Sequence, residues 1–102
     1  MTRLDDLQDF PIEIREDLVR GIDILKSGGC KEIYLFGSVA EGRSGPSSDI
    51  DFAVRGCPAS RFFKLHGRLL VELTRSSDLI DLDADPALAA FLEHEAALVY
   101  VG

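Results

Sequence analysis

Two aspartates at alternate positions open an apolar segment near the middle of the chain, Asp49 and Asp51 in the run DIDFAV. Side chains at positions i and i+2 of a β-strand project from the same face, with Cα atoms roughly 6.5–7 Å apart. Two carboxylates held this close repel each other unless one is protonated or a hard cation such as Mg²⁺ compensates them. The pair therefore predicts a Mg²⁺ site. Because Mg²⁺ commonly shares phosphate oxygens with carboxylates, it also predicts a nucleoside triphosphate ligand.

A glycine and a serine stand upstream of this pair and suggest the phosphate site. Gly37 and Ser38 follow the apolar run KEIYLF, and ten residues separate Ser38 from Asp49. A glycine lets the backbone approach a ligand closely, and backbone N–H groups together with a serine hydroxyl favour an anion. The intervening loop is rich in glycine and serine and would return the chain to Asp49, with Ser48 as a candidate cap. We expect Gly37 and Ser38 to hold the triphosphate tail.

Other phosphate-binding and calcium-binding motifs do not fit the chain. A P-loop requires GxxxxGK followed by Ser or Thr, whereas Arg43 follows the second glycine here, and a dinucleotide-binding GxGxxG is absent. The spacing of Asp81, Asp83 and Asp85 resembles the start of an EF-hand loop, but Pro86 stands where that loop needs glycine. The combination of Gly-Ser with Asp-x-Asp is therefore the strongest functional signal.

Length and composition indicate a single domain spanning residues 1–102. The chain is 46% hydrophobic and 28% charged, a balance typical of a globular protein. We find no signal peptide or membrane span, so a cytoplasmic location is expected. The formal net charge of -7 disfavours direct nucleic-acid binding, which relies on Lys and Arg. Cys30 and Cys57 lack metal-binding spacing and are expected to be reduced thiols.

Helical and strand patterns alternate along the chain. We predict a helix from about Pro11, capped by Asp9, to Gly28; strands over 31–36 and 49–54; a helix over about 59–74; a strand over 77–82; a helix from Pro86 to about Glu93; and an edge strand over 97–101. This order predicts an α/β (α+β) fold in which a small mixed sheet is backed by helices. We expect His66 either to lie on the surface of its helix or to pack against the core, and His94 to be solvent-exposed. Lys64 and Arg68 are candidates to face an acceptor.

The chain resembles the minimal nucleotidyltransferases, a family of the DNA polymerase β-like nucleotidyltransferase superfamily. The family signature is GSxAxGxxxxxSDxD, and the matching residues are Gly37, Ser38, Ala40, Gly42, Ser48, Asp49 and Asp51. The resemblance extends over most of the chain, including the IYLFGS and SDLIDL segments. It implies a polymerase β-like core and two Mg²⁺ ions held by three carboxylates, of which Asp49 and Asp51 are two. The family pattern assigns the third to Asp78, whereas strand periodicity alone does not decide between Asp78 and Asp81.

The resemblance also implies an activity and a partner. An acceptor hydroxyl would attack the α-phosphate of a nucleoside triphosphate, with AMP transferred from ATP and pyrophosphate leaving. Arg43 is a candidate phosphate-facing cation beside Gly37, Ser38 and Ser48. Family members commonly pair with HEPN-domain toxins and neutralise them by binding and modification. A weak or inactive antitoxin that acts by binding alone is the alternative, and an unrelated α/β domain with a coincidental Asp pair is the third reading. The sequence leaves the oligomeric state open.

Overall fold

The computed structural model describes residues 10–40, 42, 49–95 and 98–102, and its helices and strands follow the predicted order. The elements are α1 (Ile12–Ser27), β1 (Glu32–Phe36), the short α2 (Gly37–Ala40), β2 (Ile50–Arg55), a 3₁₀ turn (Ala59–Arg61), α3 (Phe62–Glu72), β3 (Ser77–Asp81), α4 (Pro86–His94) and β4 (Val99–Tyr100). The predicted α/β fold class is confirmed. The proposed helix cap Asp9 lies outside the described residues. Within the described ranges, no helix combines the length and apolar character needed to cross a membrane.

The four strands form one mixed sheet in the order β3-β2-β1-β4. Strand β1 pairs antiparallel with both β2 and β4, whereas β2 pairs parallel with β3. The predicted closing strand is present as β4, although it is shorter than expected and pairs with β1 at Tyr34 and Leu35. Strand β2 is therefore central and has β3, an edge strand of the described sheet, beside it.

Helices α1 and α3 pack on one face of the sheet, and α4 packs on the other. Alternation along β2 directs Ile50, Phe52 and Val54 into the core beneath α1 and α3, where all three are fully buried. Ala53 points the other way, into a smaller cluster with α4. Burying a large apolar side chain stabilises by about 1.5–3 kcal/mol. This core therefore fixes the orientation of β2 and directs Asp51 to the α4 face.

Helix α1 lies unusually close to the sheet at one glycine. A Cβ atom at Gly21 would overlap the Phe52 ring, so the helix backbone and the aromatic ring are in direct contact there. The helix begins directly after Pro11, whose backbone conformation suits a helix start, and ends at Ser27 before the predicted glycine pair. The sequence-based boundaries of α1 are confirmed.

Helix α3 ends two residues before the predicted boundary because the backbone amide of Thr74 donates its hydrogen bond to a buried acid instead of a helix carbonyl. Asp17 on α1 is only 3% exposed, and it accepts hydrogen bonds from the backbone N–H of Thr74 at 3.0 Å and from its hydroxyl at 2.7 Å. The Nε atom of Arg75 lies 3.7 Å from the same carboxylate. Since the Thr74 amide bonds to Asp17, it does not continue the helix, and the chain turns into β3.

The two cysteines are paired in the structure. A disulfide joins Cys30 to Cys57, with Cα atoms 3.8 Å apart. Cys30 precedes β1 and Cys57 follows β2, and the antiparallel pairing of these strands sets the two residues side by side. The expectation of two separate reduced thiols was therefore wrong, because a separation of 27 residues carries no sign of this strand pairing.

Candidate active site

The predicted metal-binding acids come together at one end of the sheet. Asp51 is the second residue of β2, and it pairs with Phe36 of β1 on one side and with Asp78 of β3 on the other. Residues paired across parallel strands project from the same face, so the Asp51 and Asp78 side chains lie next to each other. Asp49 precedes β2 by one residue and is exposed. Acids from β2 and β3 therefore lie on one face of the sheet, at the same end of the two strands.

The strand register distinguishes Asp78 from Asp81, the two candidates for the third carboxylate that strand periodicity alone left open. Asp81 pairs with Val54, three positions further along β3 than the Asp78–Asp51 pair. An odd separation directs its side chain to the opposite face of the sheet. Its Oδ1 atom accepts the backbone N–H of Asp83 at 2.9 Å, within the turn that follows β3. The structure therefore brings Asp78, and not Asp81, beside Asp51.

In the described part of the chain, the charged groups that act on Asp51 are both acidic. Partial burial raises the pKa of Asp51, and the negative charges of Asp78 and Asp49 raise that pKa further. Every contribution to this shift disfavours the ionised carboxylate. An uncompensated group of acids of this kind is the electrostatic condition in which a divalent cation binds favourably.

Gly37 lies directly against the Asp51 carboxylate. It has a φ of 76°, in the left-handed region that favours glycine, and an added Cβ would collide with Oδ2 of Asp51. Ser38 follows in α2. The predicted phosphate-site glycine and the predicted metal-binding acid are thus in contact. The other predicted nucleotide-binding residues, Arg43 and Ser48, lie outside the described residues.

A histidine beside Asp78 was not predicted as a site residue. The Nε2 atom of His66 on α3 lies 3.8 Å from Oδ1 of Asp78, with side-chain exposures of 28% and 62%. The same Oδ1 accepts the backbone N–H of Leu79 at 2.9 Å. Helical spacing in the sequence placed His66 next to the apolar face of α3, but it gave no indication that β3 would present an acid there.

The three acids fit a hard cation by their chemistry and their common face, but they do not yet enclose one. Across residues 10–40, 42, 49–95 and 98–102, no three His, Cys, Asp or Glu side chains are grouped closely enough to hold an ion. Asp49 and Asp78 are both exposed, so their side chains have room to reorient. Carboxylate oxygens are the ligands that Mg²⁺ prefers, and among the described residues the charges that act on Asp51 are negative.

A scan against family models decides the family. The model of the polymerase beta nucleotidyltransferase domain matches residues 8–101. The chain belongs to this nucleotidyltransferase family. The predicted resemblance to the superfamily is thereby confirmed, and the described sheet and helices form the nucleotidyltransferase core.

Solved structures extend the comparison at the level of fold. This nucleotidyltransferase is similar to a chain in the crystal structure of a toxin-antitoxin with AMP-PNP, with 24% identity and a TM-score of 0.65 over 88% of this chain and 72% of that chain. It is also similar to a chain of the toxin-antitoxin MntA-HepT, with 22% identity and a TM-score of 0.61 over 84% and 69% of the two chains. No curated protein matched the sequence. The matched folds thus come from toxin-antitoxin structures.

Proposed function

We propose that this nucleotidyltransferase transfers AMP from ATP to a hydroxyl group of a partner protein and requires Mg²⁺. One observation carries the proposal. Asp51 shares a face of the sheet with Asp78 and lies against Gly37, and its pKa is raised by burial and then by both other acids. A group of neighbouring acids whose negative charges disfavour the ionisation of Asp51 suits a magnesium-bound triphosphate.

Asp49, Asp51 and Asp78 would hold Mg²⁺, with two ions expected from the family resemblance. When bound, Mg²⁺ supplies positive charge that offsets both the carboxylates and the phosphates. Ser38, Arg43 and Ser48 are the proposed additional contacts to the triphosphate. The absence of a side chain at Gly37 leaves room for the Asp51 carboxylate, which lies against the glycine backbone.

Asp78 is the proposed acceptor of the proton in the transfer step. The oxygen of the acceptor hydroxyl forms a bond to the α-phosphorus, and the bond from that phosphorus to the pyrophosphate oxygen breaks. The hydroxyl proton passes to the Asp78 carboxylate, and pyrophosphate leaves with the electron pair of the broken bond. The exposure of Asp78 makes it accessible to an acceptor on another molecule.

The proposed partner is a HEPN-domain toxin in the cytoplasm. The toxin-antitoxin structures that share this fold support a toxin partner, and the neighbour with AMP-PNP supports an adenine nucleotide. The net charge of -7 favours a basic partner over direct contact with nucleic acid.

The alternative function is neutralisation by binding alone. It is favoured by one observation, that no three potential ligands in the described part of the chain are grouped to hold an ion. In this reading the acids are not organised for efficient transfer, and the nucleotide site contributes mainly to the stability of the complex.

Labelled ATP separates these two functions. The purified chain is incubated with Mg²⁺, the protein encoded beside it, and ATP labelled at either the α- or the γ-phosphate. We expect partner labelling from the α-labelled nucleotide alone, and its loss with Asp51→Asn. Asp23→Asn, which changes an exposed acid on α1, is the matched control and should label normally. If Asp51→Asn neutralises the partner as well as the unaltered chain does, binding alone is the function.

A further inference from the structure

His66 is held in a fixed place beside the proposed active site. Its neighbours on α3, Leu65 and Leu69, are 4% and 0% exposed and belong to the main core. Buried residues on both sides of His66 fix the rotation of the helix, so the Cα–Cβ bond of His66 stays directed toward β3. The ring itself is 28% exposed, and its Nε2 lies 3.8 Å from Oδ1 of Asp78.

In the described part of the chain, the Asp78 carboxylate is restrained by one hydrogen bond. Its side chain is 62% exposed and stands on an edge strand of the described sheet. One backbone amide, that of Leu79, bonds to Oδ1 at 2.9 Å. A second donor at Oδ1 would restrict rotation of the carboxylate and leave Oδ2 available on the face shared with Asp51.

We propose that His66 is a positioning residue that orients Asp78 for nucleotidyl transfer. Its Nε2–H group donates to Oδ1 once the present separation closes by about 1 Å to hydrogen-bond length. This role rests on the proposed function, since it assigns His66 to the acid that binds metal and accepts the proton. A histidine that merely packs between α3 and β3 would contribute to stability and leave the transfer step unaffected.

Kinetics of matched variants test the role of the donor. His66→Leu keeps an apolar group at this position without a donor, whereas His66→Gln restores a donor. We expect His66→Leu to lower kcat by roughly 10–100-fold with KM for ATP unchanged, as for other residues that orient metal-binding groups. His66→Gln should recover most of that loss, and His94→Leu should have no effect. Equal activity of the Leu and Gln variants would overturn the proposal.

A spectroscopic measurement tests the same contact without relying on turnover. The chain has only two histidines, so each imidazole can be followed separately by NMR. At a fixed pH of about 8, where an ordinary histidine is neutral, Mg²⁺ alone should shift the His66 signals and leave those of His94 unchanged. Asp78→Asn should abolish the shift. An unshifted His66 under conditions in which Mg²⁺ shifts the Asp51 resonances would also overturn the proposal.

The two measurements distinguish the failure of this inference from failure of the proposed function. A chain that transfers AMP through Asp51 but tolerates His66→Leu retains the function and loses the positioning role. A chain whose His66 responds to Mg²⁺ through Asp78, but which transfers no nucleotide to its partner, retains the contact and loses the proposed function.

Discussion

Strand β2 carries charged residues toward both ends of one face, and the two ends balance charge in opposite ways. At its carboxyl end, the Arg55 guanidinium lies among three acids: it forms a short ion pair with Glu93, and it lies 3.9 Å from Asp83 and 4.0 Å from Glu32. A cation of the protein's own occupies the centre of this group. The acids there are therefore compensated within the fold.

At the amino end of β2, the negative charges of Asp49 and Asp78 act on Asp51. The pKa of Asp51 is raised by burial and by both neighbouring aspartates. Acids around an arginine are a structural ion-pair network, whereas acids without one are expected to bind a cation from outside. Charge balance in three dimensions, rather than the number of acids, is the reason we expect the first cluster to be structural and the second to bind a ligand.

The largest expected effect is on partner labelling, when the negative charge of Asp51 is removed from the proposed active site. We expect Asp51→Asn to lower partner labelling by a factor on the order of 10³, the scale seen when a key electrostatic group is removed. Because the substitution also relieves repulsion with Asp49 and Asp78, the metal-free protein should unfold at higher temperature. Labelling and thermal unfolding in EDTA measure the two effects. A fall in both would indicate that Asp51 stabilises the fold.

Two glycines test whether the contact between Gly37 and Asp51 requires the absence of a side chain. Gly37 and Gly42 both have positive φ, 76° and 74°, but an added Cβ collides with Asp51 only at Gly37, since no described residue lies within 4 Å of one at Gly42. Alanine in the left-handed region costs roughly 1–2 kcal/mol at either position. Gly37→Ala should destabilise further by this collision and reduce labelling, whereas Gly42→Ala should show only the strain. Denaturant unfolding of both variants isolates the collision, and equal losses would contradict it.

Removal of the positive charge at the carboxyl end of β2 should lower stability, whereas removal of the Asp51 charge should raise it. Arg55→Met leaves Glu32, Asp83 and Glu93 without their shared cation. We expect the free energy of unfolding to fall by about 1 kcal/mol, since the partners are roughly half exposed. The loss should shrink in high salt because screening weakens these interactions. Nucleotide transfer should be unchanged, and a stability gain would remove the distinction between the two ends.

The smallest expected effect is a pH dependence in the absence of metal. The pKa of Asp51 is higher in the folded protein than in the unfolded chain, so the folded state binds its proton more tightly. Its ionisation therefore lowers stability as pH rises through the folded-state pKa, and acidification toward the unfolded value restores it. Asp51→Asn should remove this component, as followed by thermal unfolding in EDTA between pH 7 and 4. An unchanged profile would place the effect on other groups.

Sequence reasoning recovered the elements that have local signatures. The helical spacing of α1, the apolar run of β1 and the alternation in β2 each depend on neighbours along the chain, so their positions were predictable. Gly37 and Asp51 were identified as one site from spacing alone, and the structure places them in contact.

Features that depend on register between distant strands could not be obtained in this way. Asp78 and Asp81 are distinguished by the pairing of β2 with β3, and no periodicity within β3 contains that information. The contact of His66 with Asp78 likewise depends on how α3 packs against β3. The early end of α3 required knowledge that Asp17, far away in sequence, bonds to Thr74.

That buried bond at Asp17 has a consequence for how the loop after α3 can vary. Thr74 is tied to α1, and two residues later the carbonyl of Ser76 accepts the N–H of Ile50 at 3.0 Å. The chain between these two anchors is therefore too short to absorb an insertion. One added residue there would shift β3 by a single step and bring Ser77, instead of Asp78, opposite Asp51. The length of this connection therefore sets which residue stands beside Asp51, although none of its atoms needs to touch a substrate.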